Sequence, residues 1–147
     1  MNLGLETPLQ VVTRFLAFID DPCLESSELR GVLSTWVQAC YLSARAAGWW
    51  SNLDGTPKDR NKGEMIALMH SELSEALEGA RKGKMDEHLP DRSSEEVELA
   101  DAVIRIFDYA GGFGLDLEGA IRDKLLYNAT RADHKLENRR VEGGKGW

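Results

Sequence analysis

The sequence predicts an all-α protein, an antiparallel helical bundle with an extra N-terminal helix. Apolar residues recur at i, i+3 and i+4 through successive segments, the pattern of helices that bury one face. Capping residues, glycines and prolines punctuate those segments at helix length. The two central segments are joined by a short connection, which favours antiparallel packing of neighbouring helices. At 147 residues the chain is long enough for one domain with a real core, so residues 1–147 are expected to form one domain.

The first predicted helix covers Thr7–Ile19, with Thr7 as N-cap, Pro8 at the first helical position and Leu9, Val12, Phe15, Leu16 and Ile19 at helical spacing. It belongs to an N-terminal extension, residues 1–30, that carries no chemical signature and reads as a packing or oligomer-contact element. A second helix begins near Ser27; Leu29, Val32, Leu33, Trp36, Val37, Cys40, Tyr41 and Ala44 give it a continuous core stripe that ends at Gly48. Trp49 and Trp50 follow and lead into a polar loop, where such rings could stack a base or plug the core. The third helix runs from about Asn61 to Lys82 and ends at Gly83. Ser93 with Glu96 forms a capping-box pattern for the fourth, which continues through VELADAVIRIFDYA to Gly111-Gly112. Asp116 caps a fifth helix, where Leu117, Ala120, Ile121 and Leu125 pack. Lys124, Asn128, Arg131 and Lys135 form a polar, mostly basic stripe beside them. The tail, residues 137–147, is Gly-rich and expected to be flexible until something orders it.

Two acidic signatures carry the distinctive chemistry: Glu72-x-x-Glu75 on the third helix and Glu98-x-x-Asp101 on the fourth. A spacing of three puts both carboxylates of a pair on one side of a helix. Glu72 lies inside an apolar stripe made by Met65, Leu68, Met69, Leu73, Ala76, Leu77 and Ala80, and Asp101 lies one turn from Val97 and Ile104. Ionised carboxylates buried without partners cost several kcal/mol or more, so acids in a core stripe require cations, hydrogen bonds or raised pKa values. Facing each other across antiparallel helices, four such groups suit a hard divalent cation such as Mg²⁺. Either pair alone would pass for solvated acids on an amphipathic helix. The two together, in-stripe and on adjacent helices, point to function.

Composition excludes other classes. A net charge of −7 argues against binding to a nucleic-acid polymer, which is held mainly by basic surface. It leaves open a small nucleotide bound through metal. No apolar run approaches the roughly 20 residues that cross a bilayer, and the N-terminus lacks the basic and long apolar regions of a signal peptide, so no membrane association and a cytoplasmic location are expected. Cys23 and Cys40 have no zinc-ligand spacing and read as reduced packing residues. No Walker-type loop, GxGxxG or Ser/His/Asp set occurs.

The stretches HSELSEALEGARKG, VELADAVIRIFDYA and KLLYNATRADHK, with E-x-x-E, E-x-x-D and K-x-x-x-N in order on successive helices, resemble the MazG-like group of all-alpha nucleoside triphosphate pyrophosphohydrolases, particularly its short single-domain forms in phages and mobile elements. The likeness covers roughly residues 33–147 and implies that Glu72, Glu75, Glu98 and Asp101 ligate Mg²⁺, for which Mn²⁺ would substitute. It implies that Lys124, Asn128 and Arg131 face the phosphates, with Trp50 and Asn61 as further substrate contacts. It also implies a homodimer or homotetramer that cleaves a nucleoside triphosphate, a deoxynucleotide for preference, between the α and β phosphates. Metal-activated water needs no protein nucleophile, and one carboxylate, such as Glu75, could accept its proton. Two rivals remain. A di-iron carboxylate bundle uses two Glu-x-x-His motifs, which are absent here, and a non-catalytic helical oligomerisation or binding module would leave the acids solvated.

Overall fold

A computed structural model describes Gln10, Thr13 and residues 31–132. Gln10 and Thr13 are helical. The rest of the predicted Thr7–Ile19 helix and of the 1–30 extension, Cys23, and the 137–147 tail lie outside the described residues. Four helices follow in order: α1 (Val32–Ala46), α2 (Lys62–Lys82), α3 (Ser94–Phe113) and α4 (Leu117–Thr130). Among the described residues there is no strand, only isolated bridges joining Ser51 to Pro57 and Met85 to Ser93. The fold class is therefore all-α, as the periodicity requires. No helix among the described residues is long and apolar enough to cross a membrane.

Local chemistry sets the helix ends where the sequence placed them. Asn61 caps α2 by accepting a hydrogen bond from the Glu64 backbone N–H at 3.0 Å, and Gly83 closes it at φ 59°, a left-handed conformation that glycine adopts without strain. At the start of α3 both halves of the capping box form: the Glu96 N–H donates to Ser93 Oγ and the Ser93 N–H donates to the Glu96 carboxylate. Asp116 caps α4 by accepting from the Gly119 N–H at 2.8 Å.

α3 differs from expectation at its far end. It runs through Gly111 and Gly112 to Phe113 and is capped by Gly114 at φ 65°. The two internal glycines are there for close approach rather than termination. A Cβ on Gly111 would lie 2.6 Å from Tyr41 Cβ on α1, and one on Gly112 would collide with the Trp50 indole. Trp50 packs edge-on against Tyr41 and Phe113 and donates its indole N–H to Asp108 at 2.7 Å. It thus fastens the loop after α1 to the last turns of α3.

The chain separates into two compact units. One is Leu33–Leu115; the described residues of the other are Gln10, Thr13, Gly31, Val32 and those from Asp116 onward. In the first unit the main helix packing is between α2 and α3. Its seam on α2 is narrower than the predicted stripe. Met65, Glu72, Ala76 and Gly79 are buried, whereas Leu73 and Leu77 are 47% and 64% exposed. Residues 65, 72 and 79 stand seven apart with Ala76 between 72 and 79, so one narrow line, small at Ala76 and Gly79, is buried. The remaining leucines flank it. In the second unit the Gly31 N–H donates to Glu118, and no residue of α4 is buried, so the expected packing of Ile121 and Leu125 is not found: they are 40% and 39% exposed.

The closest approach in the seam is at Gly79, where a Cβ would meet the Glu95 backbone nitrogen at 2.9 Å and Ser94 Oγ at 3.0 Å. Gly79→Ala gains about 0.5–1 kcal/mol of helix propensity but forces backbone apart, a penalty of about 1–3 kcal/mol. The expected result is a net loss of stability in urea denaturation at fixed protein concentration. A stabilised variant would show that the seam is loose at this point.

Candidate active site

α2 and α3 bring Glu72, Glu98 and Asp101 together so that a carboxylate oxygen from each lies within 4.8 Å of the others. Glu72 is buried and the other two are half-buried. The reason lies in the register of the seam. Glu72 takes a central position of the α2 line, while Glu98 and Asp101 are three apart on the facing side of α3. Arg105, one turn further along α3, donates from Nε to Glu72 Oε1 at 2.7 Å. Three acids thus converge, and Arg105 pairs with Glu72. Burial pushes the Glu98 carboxyl above its ordinary range, and the charges of Glu75, Glu72 and Asp101 and a hydrogen bond shared with Glu72 push it the same way.

Glu75 stands apart from that trio. It is exposed and accepts a hydrogen bond from Ser71 Oγ at 3.2 Å, yet it lies near enough for its charge to act on Glu98. The four predicted acids therefore divide into three converging ligand candidates and one neighbour.

Beside the acids a cleft of about 380 Å³ opens in the same unit, with Trp49, Lys58, Arg60, Asp101, Arg105 and Asp108 in its wall. Asp101, Arg105 and Asp108 continue the line of Glu98 along α3 at helical steps of four and three. Asp101 and Asp108, two turns apart, are separated by about 10 Å along the axis. Burial raises the Asp108 carboxyl, against the opposing effects of the Trp50 hydrogen bond and the charges of Arg60 and Arg105. Arg60 donates to the Trp49 carbonyl at 2.7 Å and sits over the Trp50 ring, which ties both tryptophans to the cleft rim. The Cys40 thiol is pushed up by burial and then by Asp108, which favours the protonated form.

The substrate contacts expected from sequence are distributed differently. Trp50 is half-buried in the α1–α3 junction, and its neighbour Trp49 forms the cleft wall. Asn61 serves as the α2 cap. Lys124 and Arg131 both lie over the Tyr127 ring of α4, at 4.9 and 5.6 Å, so they share one face in the second compact unit. Asn128 belongs to that unit too, and its Oδ1 is buried without a hydrogen-bond partner among the described residues. Sequence reading passed over Arg105 and Asp108. Their signal was available: Glu98, Asp101, Arg105 and Asp108 repeat at 3, 4 and 3 along one helix face, a charged line inside an otherwise apolar segment.

Over 97 residues the chain is 31% identical to a protein of Cyanophage S-2L named dATP/dGTP diphosphohydrolase; the match covers 66% of this chain and 79% of that protein. No family model matches the chain. No solved structure matches it.

The raised Glu98 carboxyl fixes the sign of a pH effect. Because the folded state holds this proton more firmly than the unfolded chain does, stability of the metal-free protein falls as pH rises from the ordinary glutamate value of 4.5 through the raised one. Glu98→Gln removes that contribution, and above this window the variant melts at or above the wild-type temperature. Thermal unfolding of both proteins in chelator across pH reads it as a difference, which cancels the other carboxylates. A difference that stays flat across the window would contradict a Glu98 carboxyl raised by burial and by its acidic neighbours.

Proposed function

Because this chain belongs to the MazG-like nucleoside triphosphate pyrophosphohydrolases, enzymes that act on acid anhydrides, we propose that it hydrolyses a purine deoxynucleoside triphosphate to the monophosphate and pyrophosphate with Mg²⁺ held by Glu72, Glu98 and Asp101. The observation that carries this reading is the convergence of those three carboxylates, of which Asp101 also lines the cleft. They fit the cation on chemical grounds: the donors are all oxygen, as Mg²⁺ prefers, and their charge exceeds what Arg105 neutralises. Mn²⁺ has the same preference and is expected to substitute. The purine and the deoxyribose are suggested by the name of the cyanophage relative, which specifies dATP and dGTP. The role that follows is control of a cytoplasmic nucleotide pool.

Bound Mg²⁺ would neutralise phosphate charge and acidify a coordinated water. The chain's own residues arrange the rest. Glu75, beside the trio and exposed to solvent, accepts the proton of the attacking water. The water oxygen bonds to the α phosphorus, the bridge from the α phosphorus to the β phosphate breaks, and pyrophosphate leaves with the electron pair. Asp101 and Asp108 stand two turns apart on one cleft wall, and Trp49 offers an aromatic face between solvent and cleft. Lys124, Asn128 and Arg131 are assigned to the phosphates on the family resemblance alone.

With Mg²⁺ or Mn²⁺ the protein is expected to release pyrophosphate and monophosphate from dATP or dGTP, resolved by chromatography. Glu72→Gln, Glu98→Gln and Asp101→Asn are each expected to remove most of that activity, by a factor of about 10² or more. Diphosphate and orthophosphate as products, or near-normal turnover in all three variants, would defeat the assignment.

We also propose a homodimer or homotetramer. Leu73, Leu77, Leu99 and Val103 on α2 and α3 are each more than 40% exposed, more apolar surface than a pair of helices leaves to water when it works alone. Light scattering at micromolar concentration is expected to give a multiple of the 16.4 kDa chain mass. A single 16.4 kDa species would contradict it.

A further inference from the structure

Arg105 holds Glu72 in an unusual way. Arginine and carboxylate commonly pair as a two-bond fork, whereas here one Nε–H donates to Oε1 at 2.7 Å. Among the described residues the two terminal Nη groups of Arg105 have no hydrogen-bond partner. The Arg105 side chain, in the cleft wall, is 43% exposed, whereas the Glu72 side chain is 9% exposed. The side chain therefore touches two things at once: the most buried of the three proposed ligands, and the space proposed for the nucleotide.

A divalent cation held by Glu72, Glu98 and Asp101 would place two positive charges beside this guanidinium. Like charges so close repel, and both compete for the same buried carboxylate. We propose that Arg105 is the resting counter-ion of Glu72, which an entering cation displaces and which then turns its donors to the phosphates, so that metal and nucleotide binding are coupled through one side chain. The inference rests on the proposed metal site and adds a positioning residue to it. Without metal, Arg105 satisfies a carboxylate that would otherwise be buried and unpaired; with metal, its fork is released to a planar, anionic partner of the kind it fits best. Coupling of this kind is reciprocal: the nucleotide strengthens metal binding by the factor by which the metal strengthens nucleotide binding.

Calorimetric titration with Mn²⁺, alone and with an α,β-methylene deoxynucleoside triphosphate that cannot be cleaved between the first two phosphates, tests this on wild type, Arg105→Met and Arg105→Gln. Both variants are expected to bind Mn²⁺ alone about tenfold more tightly than wild type, since a competing charge-assisted contact is gone. The factor by which the analogue strengthens Mn²⁺ binding is expected to shrink by a similar amount. Arg105→Lys, which keeps the charge, stays near wild type. Arg105 lies partly in solvent, so its replacements are expected to fold, and circular dichroism with a melting curve checks each. Equal or weaker Mn²⁺ binding by the folded variants would overturn the proposal and make Arg105 a support that holds Glu72 in its ligating pose. Wild-type protein that binds no Mn²⁺ would instead remove the metal site beneath both readings.

Discussion

A buried carboxylate sets the terms for the α2–α3 pair. Glu72 occupies a central position in the seam, at 7% exposure, where an apolar residue would ordinarily sit. An ionised acid there is tolerable only beside compensating charge, and the nearest is the Arg105 guanidinium. Glu98 and Asp101 then add negative charge where one positive group already serves Glu72, so the cluster remains electrically unsatisfied. The Glu98 carboxyl, raised first by burial and then by its acidic neighbours, reflects the same crowding.

The seam that creates this strain is held close by small residues. Gly79 lets the α2 backbone approach Ser94 and Glu95, Ala76 and Ala102 fill the next positions, and Gly111 and Gly112 admit Tyr41 and Trp50 at the far end of α3. Close backbones bring short carboxylate side chains within 4.8 Å of one another, which wider spacing by large apolar residues would prevent. The same choice leaves little apolar volume inside: among the described residues the buried apolar ones are Val37, Met65 and three alanines. Leucines and valines that would make a thicker core stand on the outer faces instead. Charge convergence and exposed apolar surface are thus two results of one packing decision.

The loop between α1 and α2 contributes through tryptophans with separate tasks. Trp50 is spent on the junction, with its indole N–H on Asp108 and its ring against glycine. Trp49 is left on the cleft wall, with its carbonyl held by Arg60. Neighbours in sequence face different surroundings because the helix has already ended at Gly48, at φ 85°, and the chain turns between them.

By itself the sequence determined the helix type, the caps at Asn61, Ser93 and Asp116, the left-handed stop at Gly83, and the presence of Glu72 inside a buried line. These depend on interactions within a few residues, where spacing is geometry. The family was legible for the same reason: acids three apart on successive helices stay three apart whatever the helices pack against. Only the tertiary structure decided that Glu72, Glu98 and Asp101 converge while Glu75 stays outside, that Arg105 faces Glu72, that Gly111 and Gly112 are contacts rather than an ending, and that Leu73 and Leu77 point away from the seam. Each of these depends on which narrow line of α2 meets which line of α3. A broad apolar stripe admits several such pairings, and close approach at Gly79 selects one of them.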